Sequence, residues 1–193
     1  MSPRIGLDPQ QVLQAAIELA DTHGFESLTL ALLAQKLTIR TPSLYNHVAG
    51  LPELRRLLAL EGLERLAKDL RAAVPPEAAT PAPTACALAF SRSYVHFARQ
   101  HPGLYAAFQR APEPGDEALA AAAQQVLDLT LLALAEFHLG EESAIHAVRG
   151  FRSLLHGFVS LEGQGGFGLP LRTDQSLTFL IETYLRGLSQ LIS

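Results

Sequence analysis

The chain has 193 residues, of which 48% are hydrophobic and 18% charged. That length holds one large domain or two small ones, each with its own core, and so apolar a composition excludes a disordered chain. The formal net charge of −4 speaks against a broadly basic nucleic-acid binder and leaves DNA recognition only to a few locally placed side chains.

Ala and Leu abound and no stretch alternates with a strand period, so the expected class is all-α, with about nine helices. Asp8-Pro9 reads as a cap and first-turn proline for a helix to His23, with Val12, Ala16, Leu19, Ala20 and His23 on one face and Gly24 as its stop. Thr29 caps a short helix, Leu30 to Leu37, and a turn over 38–41 follows. Thr41-Pro42 then reads as cap and first-turn proline for a third helix, Ser43 to Val48, broken by Ala49-Gly50. Leu51-Pro52-Glu53 opens a long fourth helix to about Ala73. Residues 74–84, VPPEAATPAPT, are the one evident linker. Beyond it, helices are expected near 84–100, 103–111, 115–139, 141–162 and 173–192, the last capped within Asp174–Ser176.

The last two helices carry apolar stripes wider than one core face needs. Such stripes predict burial on most sides, with Phe151, Leu154, Phe158, Leu177, Ile181, Tyr184, Leu185 and Leu188 meeting a second copy of the chain; the alternative is that both helices are fully central within one chain. Cys86 is the single cysteine, so no intramolecular disulfide forms. A signal peptide and a membrane span are not evident, and the expected location is cytoplasmic. The histidines lack metal-ligand spacing, and neither a phosphate loop nor a nucleophile elbow is present, so no metal, cofactor or catalytic activity is expected.

Short helix, turn, short helix is the pattern that reads the DNA major groove. Thr41, Ser43, Asn46 and His47 are small or polar groups on the outward side of the third helix, while Leu44 and Val48 anchor it. Tyr45 places a phenol within reach of phosphate, and helix N-termini add N–H donors. Residues 1–56 hold five basic side chains (Arg4, Lys36, Arg40, Arg55, Arg56) and five acidic ones (Asp8, Glu18, Asp21, Glu26, Glu53). This neutral head implies weak non-specific binding with a modest salt slope.

Phe25-Glu26-Ser27-Leu28-Thr29, Leu33-Ala34-Gln35-Lys36-Leu37 and Pro42-Ser43-Leu44-Tyr45-Asn46-His47-Val48 resemble the tetracycline-repressor (TetR) family over residues 8–60. Leu155-His156-Gly157-Phe158, with the Gly165–Pro170 segment, resembles a subgroup of its C-terminal domains named for a Trp-His-Gly motif, Leu155 standing in the Trp place. The resemblance implies a homodimeric regulator with DNA contacts at Thr29, Arg40, Thr41, Pro42, Ser43, Tyr45, Asn46 and His47. It also implies a C-terminal ligand cavity, and repression relieved by a small molecule. Phe90, Tyr94, Phe97, Tyr105, Phe108, Phe151 and Leu155 would supply the cavity's apolar lining and His156 a polar handle. Relatives often carry Lys where Leu51 stands and Arg where Ala31 stands. Arg40, Lys36 and Arg4 are the cations that could replace them. The expected organisation is a DNA-binding domain over 1–50, a connecting helix over 51–74, a linker over 75–84 and a ligand-binding and dimerisation domain over 85–193. The alternative is a helical ligand-binding or protein-interaction module with weak or lost DNA binding.

Overall fold

The structure is a computed structural model that describes residues 8–74 and 84–190. Arg4, most of the expected linker, Leu191 and Ile192 lie outside the described residues. Within them the elements are α1 (Pro9–His23), α2 (Leu30–Lys36), α3 (Thr41–Leu44), α4 (Leu51–Ala73), α5 (Thr84–Gln100), α6 (Pro102–Ala107), α7 (Glu117–Ala133), α8 (Glu141–Gly163) and α9 (Thr173–Gln190). Single 3-10 turns cover Phe25–Ser27 and Ala135–Phe137. No strand occurs among the described residues, in accord with the expected all-α class. Two compact units result: one of residues 8–65 with 101–122, the other of 66–74 and 84–100 with 123–190. The boundaries fall inside α4 and α7.

In the first unit, α1 starts with a reciprocal cap. The Gln10 N–H donates to Asp8 Oδ1 at 3.1 Å, and the Asp8 N–H donates to Gln11 Oε1 at 3.1 Å. Gly24, at φ 87°, ends the helix. Val12, Ala16, Leu19 and Ala20 are buried as expected, and Ala15 and Ile17 join them. His23 is exposed, because the last turn of α1 runs past the core. α1 packs on α2 and on α6. At the α6 contact the Gly103 N–H donates to Asp21 Oδ1 at 2.7 Å, and a side chain at Gly103 would overlap the Ala20 backbone. On α4, Gly62 leaves room for the Phe108 ring.

The turn between α2 and α3 is tight. The Thr38 N–H donates to the Gln35 carbonyl and the Ile39 N–H to that of Ala34, a closure that needs a left-handed residue. Thr38 fills that position at φ 54°, a conformation costly for a β-branched side chain. Thr41 and Pro42 lie one residue further into α3 than expected. Arg40 is the N-cap, and no side chain bonds to the cap. Regular helix ends at Leu44, and single turns carry the chain to Val48, whose N–H donates to the Leu44 carbonyl at 3.0 Å.

In the second unit, α5 packs against α8 and α9, and α8 against α9. Phe151 is the hub: its ring centroid lies 5.7 Å from that of Phe90 and 5.9 Å from that of Tyr184. The Tyr184 hydroxyl donates to the Ala147 carbonyl at 2.6 Å. One guanidinium ties all three helices. Arg99 of α5 grips Glu162 of α8 through Nε at 2.7 Å and Nη2 at 2.8 Å, and reaches Asp174 of α9 through Nη1 at 2.8 Å. Asp174 is therefore an ion-pair partner in the first turn of α9, which starts at Thr173, and not its cap.

Most of the residues expected at a subunit interface are already covered within the chain. Phe151, Phe158, Leu177, Ile181, Leu185 and Leu188 are no more than 6% exposed within the chain itself. Their stripes are wide because each helix is covered from two directions by its neighbours. Leu154 and Tyr184 are half-buried.

Two expectations follow. Replacing Thr38 with Gly removes the left-handed strain, offset in part by greater freedom of the unfolded chain, and should stabilise the fold by up to about 1 kcal/mol. A lower urea midpoint for Thr38→Gly would instead mean that the hydroxyl bond to the Leu37 carbonyl outweighs the strain. The Arg99 guanidinium lowers the Glu162 and Asp174 carboxyls below their ordinary values. Their contribution to stability is thus complete above the carboxylate range and is lost as pH falls below about 4. Arg99→Gln should flatten that acid limb of the urea midpoint against pH; an unchanged slope would refute the assignment.

Candidate nucleic-acid interface

The candidate site is built on two buried anchors. Leu44 is 0% exposed and Val48 5%, so α3 and the turns after it are held by one apolar side. Helical geometry then turns the remaining residues outward. Pro42, Ser43, Tyr45 and Asn46 are exposed, Thr41 and His47 half-buried. Tyr45 is the outstanding case at 60% exposure, an aromatic ring left in water. Arg40 is exposed at the entry to this segment. Residues 40–47 thus form one continuous surface, and Thr29 stands at the start of α2, which packs on α3.

Thr29 has a structural task as well: its Oγ1 accepts from the Leu32 N–H at 3.2 Å, satisfying one end group of α2. The hydroxyl proton stays available to an acceptor. At the start of α3, backbone donors are fewer than the sequence led us to expect. Pro42 has no N–H, and the Ser43 N–H is bonded to the Arg40 carbonyl at 2.9 Å.

The head's charges are arranged in pairs. Lys36 bonds to Glu18 at 2.8 Å, Arg55 to Glu26 at 3.2 Å, and Arg56 to Asp116 at 3.3 Å and Glu53 at 3.5 Å. Arg55 also lies over the Phe25 ring, 5.1 Å from its centroid. Among the described residues, Arg40 is the one cation of the head without an ion-pair partner. Lys36 is therefore a partnered candidate. Its pair is half-exposed, however, and such surface pairs are weak enough for phosphate to compete. Neither the Glu18–Lys36 nor the Glu26–Arg55 pairing has a spacing that a sequence could reveal, since each joins separate elements.

The eight residues expected to line a cavity do not come together in one unit. Phe90, Tyr94, Phe97, Phe151 and Leu155 are buried in the second unit. Tyr105 and Phe108 belong to the first, where their rings meet edge to face at 5.6 Å. His156 is on the exposed side of α8, next to the buried Leu155.

Comparison with known proteins gives the same reading as the helix-turn-helix. A family model described as "Tetracyclin repressor-like, C-terminal domain" matches residues 87–184. The chain is 39% identical to YobS of Bacillus subtilis strain 168, described as an uncharacterized HTH-type transcriptional regulator, over 97% of this chain and 96% of the relative. Its fold is similar to that of a protein of unknown function from Rhodococcus sp. RHA1, with a TM-score of 0.79 at 25% identity, covering 98% of this chain and 100% of the other. A TetR variant from Acinetobacter baumannii AYE, in complex with minocycline, superposes with a TM-score of 0.69 at 22% identity, covering 97% and 99%. No helix among the described residues is long and apolar enough to cross a membrane. A short anchored helix with an outward polar row, a left-handed turn before it and these likenesses have one common explanation: the chain belongs to the TetR family of DNA-binding transcriptional regulators, which are not enzymes.

Proposed function

We propose that this regulator is a cytoplasmic homodimer that represses transcription from a palindromic operator and is released by a small molecule. Thr29, Arg40, Thr41, Pro42, Ser43, Tyr45, Asn46 and His47 contact the DNA. The observation that carries the reading is Tyr45, 60% exposed beside the fully buried Leu44. Among the described residues nothing covers the ring in that position, and a phosphate or base edge would. Residues 1–50 serve as the DNA-binding domain, 51–74 as the connecting helix, 75–84 as linker and 85–193 as the ligand-binding and dimerisation domain. A two-fold dimer offers two equal recognition helices, hence a palindromic site with half-sites about one DNA turn, ~34–36 Å, apart. The minocycline complex of a structural neighbour supports a small-molecule effector. Such an effector acts only through its different affinities for the two states of the dimer.

The dimer face that the burial pattern favours shares Leu154 with the expected apolar stripe and otherwise lies on the flank beside it. On α8 it holds Leu154, Gly157 and Leu161, the last 53% exposed; on α9 it holds Leu180, Thr183 and Gly187. Gly157 and Gly187 interrupt helices where glycine is unfavourable. A Cβ would meet nothing within 4 Å at either position, so no packing among the described residues requires them. Close approach of a partner helix does.

Selection of bound fragments from the source genome should enrich a palindrome; none enriched with the intact chain would sink the repressor reading. On that operator, Tyr45→Phe combined with His47→Ala should weaken binding at least tenfold with dimer mass unchanged. Arg40→Ala should lower the slope of log affinity against log salt by about 1, and unaltered slope would remove Arg40 from the contact set. For the interface, Gly157→Glu should give a monomer by light scattering with its helical circular dichroism kept and operator binding lost. A dimer of full mass after that change would place the interface elsewhere.

A further inference from the structure

We infer that the open cleft between α5 and α9 binds a small organic anion, a carboxylate or phosphate carried on an aromatic or short alkyl group. Arg92, His96 and Arg99 repeat along the outward side of α5. Arg172 comes from the chain just before α9, and Phe179 projects from α9 beside them. The cleft measures about 880 Å³, within the range of small-ligand sites.

Its charges are unevenly matched. Arg99 is held by Glu162 and Asp174, and Glu182, on the cleft wall, reaches Arg186 at 3.5 Å. Arg92 and Arg172 have no hydrogen bond or ion pair among the described residues. The carboxylate nearest to their influence is Asp174, whose proton affinity both arginines help to lower, and it is already bonded to Arg99. Two guanidinium groups thus face a cleft with no carboxylate of their own, in a chain whose net charge is −4. Guanidinium groups of this kind suit bidentate binding of carboxylate or phosphate.

Phe179 supplies the second half of the chemistry. At 73% exposure its ring offers a flat apolar surface next to the arginines, suited to the hydrophobic part of the same ligand. A bare inorganic ion would leave that ring unused. The cleft is separate from the aromatic core, since Phe90, Tyr94 and Phe97 lie on the buried side of α5. On α9, Thr178 and Glu182 lie on the side away from Leu180 and Gly187, while Phe179, one turn before Thr183, borders the proposed dimer flank. The arginine side of the cleft, Arg92 on α5 and Arg172 before α9, involves no residue of that flank, so its test does not depend on the repressor reading.

The test uses the full-length protein in solution with four probes: octanoate, phenyl phosphate, inorganic phosphate and 1-octanol. Amide NMR shifts and calorimetric titration follow each. Octanoate, phenyl phosphate or both should saturate, with shifts centred on Arg92, Arg172 and Phe179, whereas 1-octanol should not bind there. Whichever of the two saturates assigns the headgroup. Arg92→Ser with Arg172→Ser should weaken that probe at least tenfold without altering the melting temperature, as both side chains are on the surface. Phe179→Ala should weaken the organic probe and leave any binding of inorganic phosphate unchanged. The inference is overturned if neither organic anion saturates. Equal binding by the double arginine variant, or shifts confined to the aromatic core, would overturn it as well.

Discussion

The first compact unit depends on one backbone contact. Gly103 lies so close to Ala20 that no side chain fits between them, and its N–H is fixed on the Asp21 carboxylate at 2.7 Å. Through it α6, eighty residues downstream in rough terms, joins α1 as part of the core beneath the helix-turn-helix. The recognition helix has only Leu44 and Val48 as its own anchors, and those anchors are firm only if the layer they enter is firm. A four-residue helix is too short to be stable alone; its position is inherited from α1 and α2, and theirs in part from α6. Compactness on this view is set by where close approach is possible, and a glycine decides that.

The same unit shows how a neutral head can still recognise DNA. Its acidic residues do not simply cancel its basic ones at a distance. Glu18, Glu26, Glu53 and Asp116 each occupy a particular cation, which leaves Arg40 alone at the edge of the recognition segment. Non-specific affinity scales with the number of phosphates neutralised, so pairing the cations suppresses it. What survives is geometry: Tyr45, Asn46 and Ser43 presented in fixed register, and two copies of that register in a dimer. Weak bulk attraction combined with positioned contacts favours discrimination between sites over tight binding to all of them.

Much of this was legible in the sequence, for local reasons. Asp8-Pro9, Gly24, Thr29 and Pro42 act within one helical turn, so their spacing alone marks the ends of α1, the start of α2 and the beginning of α3. Long-range information was not available. The α3 cap shifted by one residue because Arg40, and not Thr41, is where the backbone turns from extended to helical. Tyr105 and Phe108 resembled the other aromatics in composition, yet they pack in the other compact unit. The stripes of α8 and α9 gave the extent of burial and left its partner open, since periodicity cannot distinguish a neighbour in the same chain from one in another. The proposed dimer flank and cleft rest on signals of a local kind: glycines inside α8 and α9 where nothing breaks the helix, and arginines and a histidine at helical spacing along α5.

α9 shows why such a stripe resists reading. One side, through Leu177, Ile181, Leu185 and Leu188, is core. The flank of Leu180 and Gly187 is open to a partner helix, and the flank of Thr178 and Glu182 lines the cationic cleft. Eighteen residues thus carry three separate surfaces, and the ties holding them in place are few: Asp174 on Arg99 at one end and Tyr184 on the Ala147 carbonyl further along. A ligand that binds Arg92 and Arg172 lies beside the Arg99–Asp174 tie, and its charge acts on the ion pair that fixes the start of the helix. Any influence on the dimer flank is then limited to the difference in the ligand's affinity for two placements of α9. A bonded, half-exposed ion pair, easily perturbed in a way that a buried leucine is not, is the element of this helix most open to such an effect.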